Sequence, residues 1–141
     1  MLPAPHVAIE VILDPETGAL TKGVRLLSPL TFTYVSPDAP RPHPFRVTIP
    51  EGFLSDGASV PRLFWRLLSP PIDPVTITPS LVHDYLYVNG ARMGMDREEV
   101  DRWYANALLD NGYPLWKCLL TFYGVRLGGA SHWQGAPAES R

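Results

Sequence analysis

The rhythm of apolar and polar positions changes once along the chain, near residue 52. Before it, short β-branched runs are separated by turn residues. His6–Leu13 is β-branched and partly alternating, and Asp14-Pro15-Glu16-Thr17-Gly18 has turn chemistry. Val24–Leu27, Leu30–Val35 and Phe45–Ile49 are further strand candidates, with a proline-rich loop at Ser36–Pro44. These runs predict a small antiparallel sheet.

Beyond residue 52 the pattern becomes helical. Phe53–Pro61 reads as a loop leading into the apolar run Leu63–Leu68, which the three prolines of Ser69–Pro74 break. A first helix is expected from Thr78 as N-cap, with Pro79 at the first helical position, to about Val88, where Asn89-Gly90 ends it. A second begins at Asp96, with Glu99 completing a capping-box-like pair, and ends before Asn111-Gly112. A third runs from about Pro114 to Leu127 and stops at Gly128-Gly129. A sheet followed by helices gives an α+β class. We expect one domain over 1–130, β-rich over 1–52 and helical over 60–128, with a tail at 131–141 that is mobile apart from Trp133.

Composition narrows the classes of function. The 141 residues are enough for a hydrophobic core, and a formal net charge of −2 gives no electrostatic case for nucleic acid as a partner. Cys118 stands alone and cannot form an internal disulfide, so stability must come from packing. The start of the chain lacks the basic, then apolar, pattern of a signal peptide. The apolar region Pro114–Leu127 is interrupted by Lys117, Thr121, Gly124 and Arg126 and is too short to span a bilayer. The expectation is a soluble cytosolic product that is not an integral membrane protein.

The chemistry concentrates in Leu81-Val82-His83-Asp84-Tyr85-Leu86-Tyr87 and in Val100-Asp101-Arg102 on the next helix. His83 and Tyr87 share a helix face, and Asp84 lies about 100° round from His83. Asp101, Tyr104 and Leu108 form one stripe, so Asp101 should point into protein. A buried carboxylate without a partner costs roughly several kcal/mol, which makes His83 and Tyr87 its natural partners if the two helices pack antiparallel. In a functional reading Asp101 fixes the His83 tautomer, the other ring nitrogen takes a proton from water, and Asp84 binds a hard cation. In a structural reading His83, Asp101 and Tyr87 tie two helices together and Asp84 lies at the surface. Spacing alone weighs toward the second, because His–Asp pairs are common in sequences.

Two resemblances bear on that choice. His83-Asp84-Tyr85-Leu86-Tyr87, with Asp101-Arg102 and Ala105, resembles the His-Asp-x-x-Tyr and Asp-Arg-x-x-Ala helices of secreted phospholipases A2, including the shorter bacterial, fungal and parvoviral forms. Asp56-Gly57-Ala58-Ser59 is similar to the loop preceding the helix in bacterial and fungal members. The resemblance implies His83 as base, Asp84 as calcium ligand with Asp56 as a further metal candidate, Asp101 as orienter and Tyr87 as its support. The disulfides of those enzymes and the glycine-rich calcium loop of the animal forms have no counterpart here.

The second resemblance is broader. Phe53, Asp56-Gly57-Ala58-Ser59, Pro61, Phe64-Trp65, the His83–Tyr87 string, Asp96-Arg97, Asp101-Arg102 and Tyr123-x-x-Arg126 resemble domain-of-unknown-function family 1353. That family occurs in phages and prophages, and the likeness implies a viral origin without a mechanism.

Elsewhere the signals are plainer. Ser59 reads as a turn residue, and no Gly-x-Ser-x-Gly elbow is present for a serine nucleophile. His6, His43 and His132 lack metal-ligand spacing. Trp103, Trp116, Phe122, Tyr123 and Trp133 are expected in the core, whereas Phe64 and Trp65 could form an interfacial rim or a docking patch. Two functions stand open. One is a phage-associated, phospholipase A2-like ester hydrolase using calcium and carried in the virion for envelope penetration. The other is a virion tail or baseplate protein, or an assembly protein, in which the same residues are a helix–helix network. Partners would be lipid or ester substrate in the first case and phage structural proteins in the second, with an oligomer within the particle possible.

Overall fold

The computed structural model describes residues 8–13, 15–17, 20–37, 44–55 and 76–134. Period-two alternation explains the best-formed hairpin. In β3 (Leu30–Tyr34), Leu30 and Tyr34 turn inward while Thr31 and Thr33 face out. In β4 (Phe45–Ile49), Val47 and Ile49 turn inward and Arg46 and Thr48 face out. The two pair antiparallel from Leu30–Ile49 to Tyr34–Phe45, and the outward Thr31 and Thr48 hydroxyls hydrogen-bond at 2.9 Å.

The expected single sheet is two. β1 (Ile9–Leu13) pairs antiparallel with β2 (Leu20–Leu26), and β2 pairs antiparallel with the two-residue β5 (Leu54–Ser55). β3 and β4 form a separate ribbon. A register shift between Val11 and Leu13 marks the β1–β2 pair.

Three helices follow: α1 (Ile77–Asn89), α2 (Arg97–Asp110) and α3 (Leu115–Gly128). α1 starts earlier than the sequence predicts, with Thr76 rather than Thr78 at the N-cap, which puts Pro79 at the third helical position. The shift costs little, since the first four N–H groups of a helix have no intrahelical partner for a proline to remove. α1 ends at Asn89-Gly90 as expected, with Gly90 in the right-handed region. The chain continues into a 3-10 turn, Gly90–Met93, and the positive φ falls at Gly94 (+83°), where only glycine is unstrained.

α2 begins as predicted, with the Asp96 carboxylate accepting from Glu99 N–H at 2.8 Å. The Glu99 side chain does not return the bond. Its carboxylate accepts instead from the Tyr34 hydroxyl at 2.8 Å, pinning β3 to the start of α2.

The main core joins Val24, Leu26, Leu30, Tyr34, Val47 and Ile49 from the strands to Leu81, Val82, Leu86 and Val100 from the helices. Trp103 extends it, packing on Phe32 and Tyr34 with ring centroids 5.9 and 5.8 Å away. A second cluster, Tyr104, Leu108, Tyr113, Cys118 and Val125, lies between α2 and α3. Part of the expected tail, Ser131 to Gln134, packs against the helices. Ala130–His132 make a 3-10 turn, Trp133 packs edge-on against Tyr87 at 5.4 Å, and Gln134 N–H donates to the Tyr87 carbonyl at 2.8 Å. No helix among the described residues is long and apolar enough to cross a membrane.

Candidate functional site

Three contacts fix the relation of α1 to α2. Ser80 meets Tyr104, His83 meets Asp101, and Tyr87 meets Arg97, so later residues of one helix face earlier residues of the other. The helices therefore run antiparallel, the arrangement the short connection favours. Their shared face carries His83 (1% exposed) and Asp101 (0% exposed).

Asp101 is the hub. Its Oδ1 accepts from His83 Nε2 at 2.8 Å and from the Tyr87 hydroxyl at 2.6 Å. Its Oδ2 accepts from Arg126 Nη1 at 2.8 Å, with Arg97 Nη1 at 3.7 Å. A buried carboxylate only accepts hydrogen bonds, and here both oxygens are served from all three helices. Burial, the largest single influence on Asp101, would raise its carboxyl. The donors outweigh it, His83 first and then Tyr87 and Arg126, and hold the group below its ordinary value.

His83 lies between two acids and against two rings. Nδ1 is 3.6 Å from Asp84 Oδ1, an ion-pair distance too long for a hydrogen bond. The Tyr87 and Tyr104 rings each sit 4.3 Å from the imidazole, centroid to centroid. Burial is again the largest single influence and favours the neutral ring. Asp101 and Asp84 together overcome it and raise His83 above its ordinary 6.5. Burial also raises the Tyr87 and Tyr104 hydroxyls, keeping both protonated as donors.

Asp84 is mostly enclosed rather than at the surface, and its Oδ2 accepts from the Ser55 hydroxyl of β5. Calcium takes six to eight oxygens, and here one carboxylate and one hydroxyl stand together. Among the described residues no three His, Cys, Asp or Glu side chains come close enough to hold a metal ion. Asp56, Ser59, Phe64 and Trp65 lie outside the described residues.

The structure thus brings together His83, Asp101 and Tyr87, as the sequence singled them out. Sequence reasoning did not find the Arg126 contact or the ring stack of Tyr104. It also missed Arg97, which donates to the Tyr87 hydroxyl (3.4 Å) and to the carbonyls of Val125 (3.1 Å) and Arg126 (3.3 Å) near the end of α3. Arginines at the ends of helices whose apolar faces meet a buried acid were the available signal. Gly129 was missed too. A Cβ there would fall 2.5 Å from the Tyr87 hydroxyl oxygen and from the Val125 carbonyl, so a side chain would displace the tyrosine.

Fold and site define a small α+β domain whose three helices converge on one buried aspartate. The chain belongs to the family described as Protein of unknown function (DUF1353), whose model matches residues 31–125. That segment holds His83, Asp84, Tyr87 and Asp101 and ends one residue before Arg126. The chain is similar to the uncharacterized protein y4jT of Sinorhizobium fredii, with 28% identity over 88 residues. The alignment covers 62% of this chain and 25% of that protein, so the chain spans about a quarter of its relative's length. No solved structure matches.

Proposed function

We propose that this chain is a non-enzymatic component of a phage particle, structural or in assembly, whose His83–Asp101–Tyr87–Arg126 cluster holds three helices in register. The observation that carries the reading is the enclosure of His83, with 1% exposure, a carboxylate facing each ring nitrogen and two tyrosine rings against it. A general base needs an unprotonated nitrogen and a water within hydrogen-bond reach. An imidazole raised above its ordinary pKa by the acid on either side is biased toward the protonated form, and its role in this reading is that of a hydrogen-bonding member of the network. The viral assignment rests on the likeness of the motif blocks to a phage and prophage family. On this reading the chain is made in the host cytoplasm and afterwards joins the particle.

The test has two arms. Wild type and His83→Gln are assayed with calcium on phospholipid vesicles and short-chain esters, and particles from an induced host are quantified by mass spectrometry. We expect no acyl hydrolysis above background and a fixed copy number per particle. Hydrolysis that disappears in folded His83→Gln would overturn the reading.

One observation favours the hydrolase instead. Asp101 holds Nε2 and leaves Nδ1 as the nitrogen toward Asp84, which fits the roles of orienter and metal ligand that the phospholipase resemblance implies for these two acids. In that reading His83 Nδ1 takes a proton from the water attacking an ester carbonyl, Asp101 orients the ring and Tyr87 supports Asp101. It also requires calcium beside Asp84. Titration calorimetry on wild type and Asp84→Asn separates the two, since calcium binding lost only in the variant belongs to the hydrolase.

A further inference from the structure

α3 is amphipathic the wrong way round for a helix that only covers a core. Its inward residues are small or polar: Cys118, Thr121, Gly124 and Val125. Five of its large apolar residues point out, with Leu120 and Phe122 half-buried. Leu115, Trp116, Leu119, Tyr123 and Leu127 are 59, 58, 49, 59 and 78% exposed. They are five of the eleven exposed large apolar side chains among the described residues. At about 100° per residue these five fall within an arc of roughly 120°, together with Arg126, whose guanidinium is already engaged by Asp101. Scattered surface leucines need no explanation, but a continuous face of this kind marks an interface.

We propose that the outward face of α3 is the contact through which two copies of this chain pair. Leu115, Leu119, Tyr123 and Leu127 are successive i, i+4 positions, a single ridge about 18 Å long. Ridges of this spacing interdigitate with their own kind, the commonest mode of helix packing in globular proteins. A two-fold axis near Thr121 sets Leu119 of one copy against Tyr123 of the other and opposes the helix dipoles. The ridge with Trp116 offers roughly 100 Å² per side chain, or about 500 Å² per copy, given what large side chains bury. Two copies reach about 1,000 Å² in total, the lower bound for a specific interface, so the pair is a weak one in the micromolar range. Charge argues against an anionic lipid surface as the occupant. The chain carries a net −2, and beside the ridge stand Lys117, held over the Tyr113 and Trp116 rings, and the engaged Arg126. The inference is independent of the network reading of His83.

Sedimentation velocity of the full chain from low to several hundred micromolar tests it, with circular dichroism to verify folding. We expect a monomer–dimer equilibrium that Leu119→Glu and Trp116→Glu weaken at least tenfold and that Val35→Glu, on another exposed site, leaves unchanged. If the glutamate variants fail to fold, a mixture of Leu119→Cys and Tyr123→Cys chains under mild oxidant should give the mixed disulfide dimer. A wild type that stays monomeric throughout overturns the proposal, as does a dimer indifferent to both α3 substitutions or the absence of that cross-link. A monomer that instead sediments with neutral phosphatidylcholine vesicles, and no longer does so as Leu119→Glu, also overturns it and assigns the face to lipid.

Discussion

Asp101→Asn is the substitution that loads the network most directly. It keeps the shape of the side chain and replaces one acceptor oxygen with an NH2 donor. Whichever way the amide turns, that donor meets others: Arg126 Nη1 on one side, or His83 Nε2 and the Tyr87 hydroxyl on the other. Hydrogen bonds to a charged group are each worth about 1.5–3 kcal/mol, but those of one network do not add, and relieving the buried carboxylate of its desolvation offsets part of the loss. Breaking a buried pair by removing one partner costs about 3–5 kcal/mol, and that is the expected loss. Against a total stability of about 5–15 kcal/mol it is a fifth or more, and it lowers the melting temperature by roughly 10–20 °C. Urea denaturation followed by tryptophan fluorescence, with thermal unfolding by circular dichroism, measures it. A loss below about 1 kcal/mol, the range of an exposed ion pair, would refute the reasoning.

Three further outcomes are expected. Stability depends on pH from both sides. His83 is raised above 6.5, so its contribution is full below that value and fades as pH rises through the raised one. Asp101 is lowered from 3.8, so its contribution is full above that value and fades as pH falls through the lowered one. The pair therefore stabilises most between 3.8 and 6.5, and urea midpoints for His83→Gln should lose the alkaline decline that wild type shows. Gly129→Ala should cost about 1–3 kcal/mol by overpacking against Tyr87, visible as a lower urea midpoint and an altered near-ultraviolet tyrosine and tryptophan signal. Tyr34→Phe, which leaves buried Tyr34 packed on Trp103 but removes its bond to Glu99, should cost about 1.5–3 kcal/mol by the same denaturation, whereas no loss would mean the β3–α2 tie is carried by packing alone.

What could be read in advance follows from the range of the forces. The strand Phe45–Ile49 and the bounds of α2 rest on local signals, alternation in one case and Asp96 with Asn111-Gly112 in the other, and both stand in the structure. The meeting of His83, Tyr87 and Asp101 was legible because helical spacing and a short connection leave few ways to satisfy a buried acid. Arg126 was not assigned to it, since α3 reaches Asp101 only after the chain has folded, whereas Arg97 stands four residues before Asp101 on α2 and that local spacing was passed over. Pro79 misled because any position in the first turn tolerates proline. Trp116 and Tyr123 also defied the sequence. A helix rich in large apolar residues was expected to bury them, yet Gly124, Thr121 and Cys118 supply the close-packing face and the aromatics are left outside.

The protonation state of His83 tests the central claim most directly. Nitrogen NMR of the imidazole across pH reports whether both ring nitrogens carry protons. The account predicts a ring that titrates above its ordinary 6.5 and carries both protons below that raised value, with slow exchange of the Nε2 proton held by Asp101. A neutral ring at pH 7, titrating at or below 6.5 with a rapidly exchanging environment at Nδ1, would contradict it and restore His83 as a base.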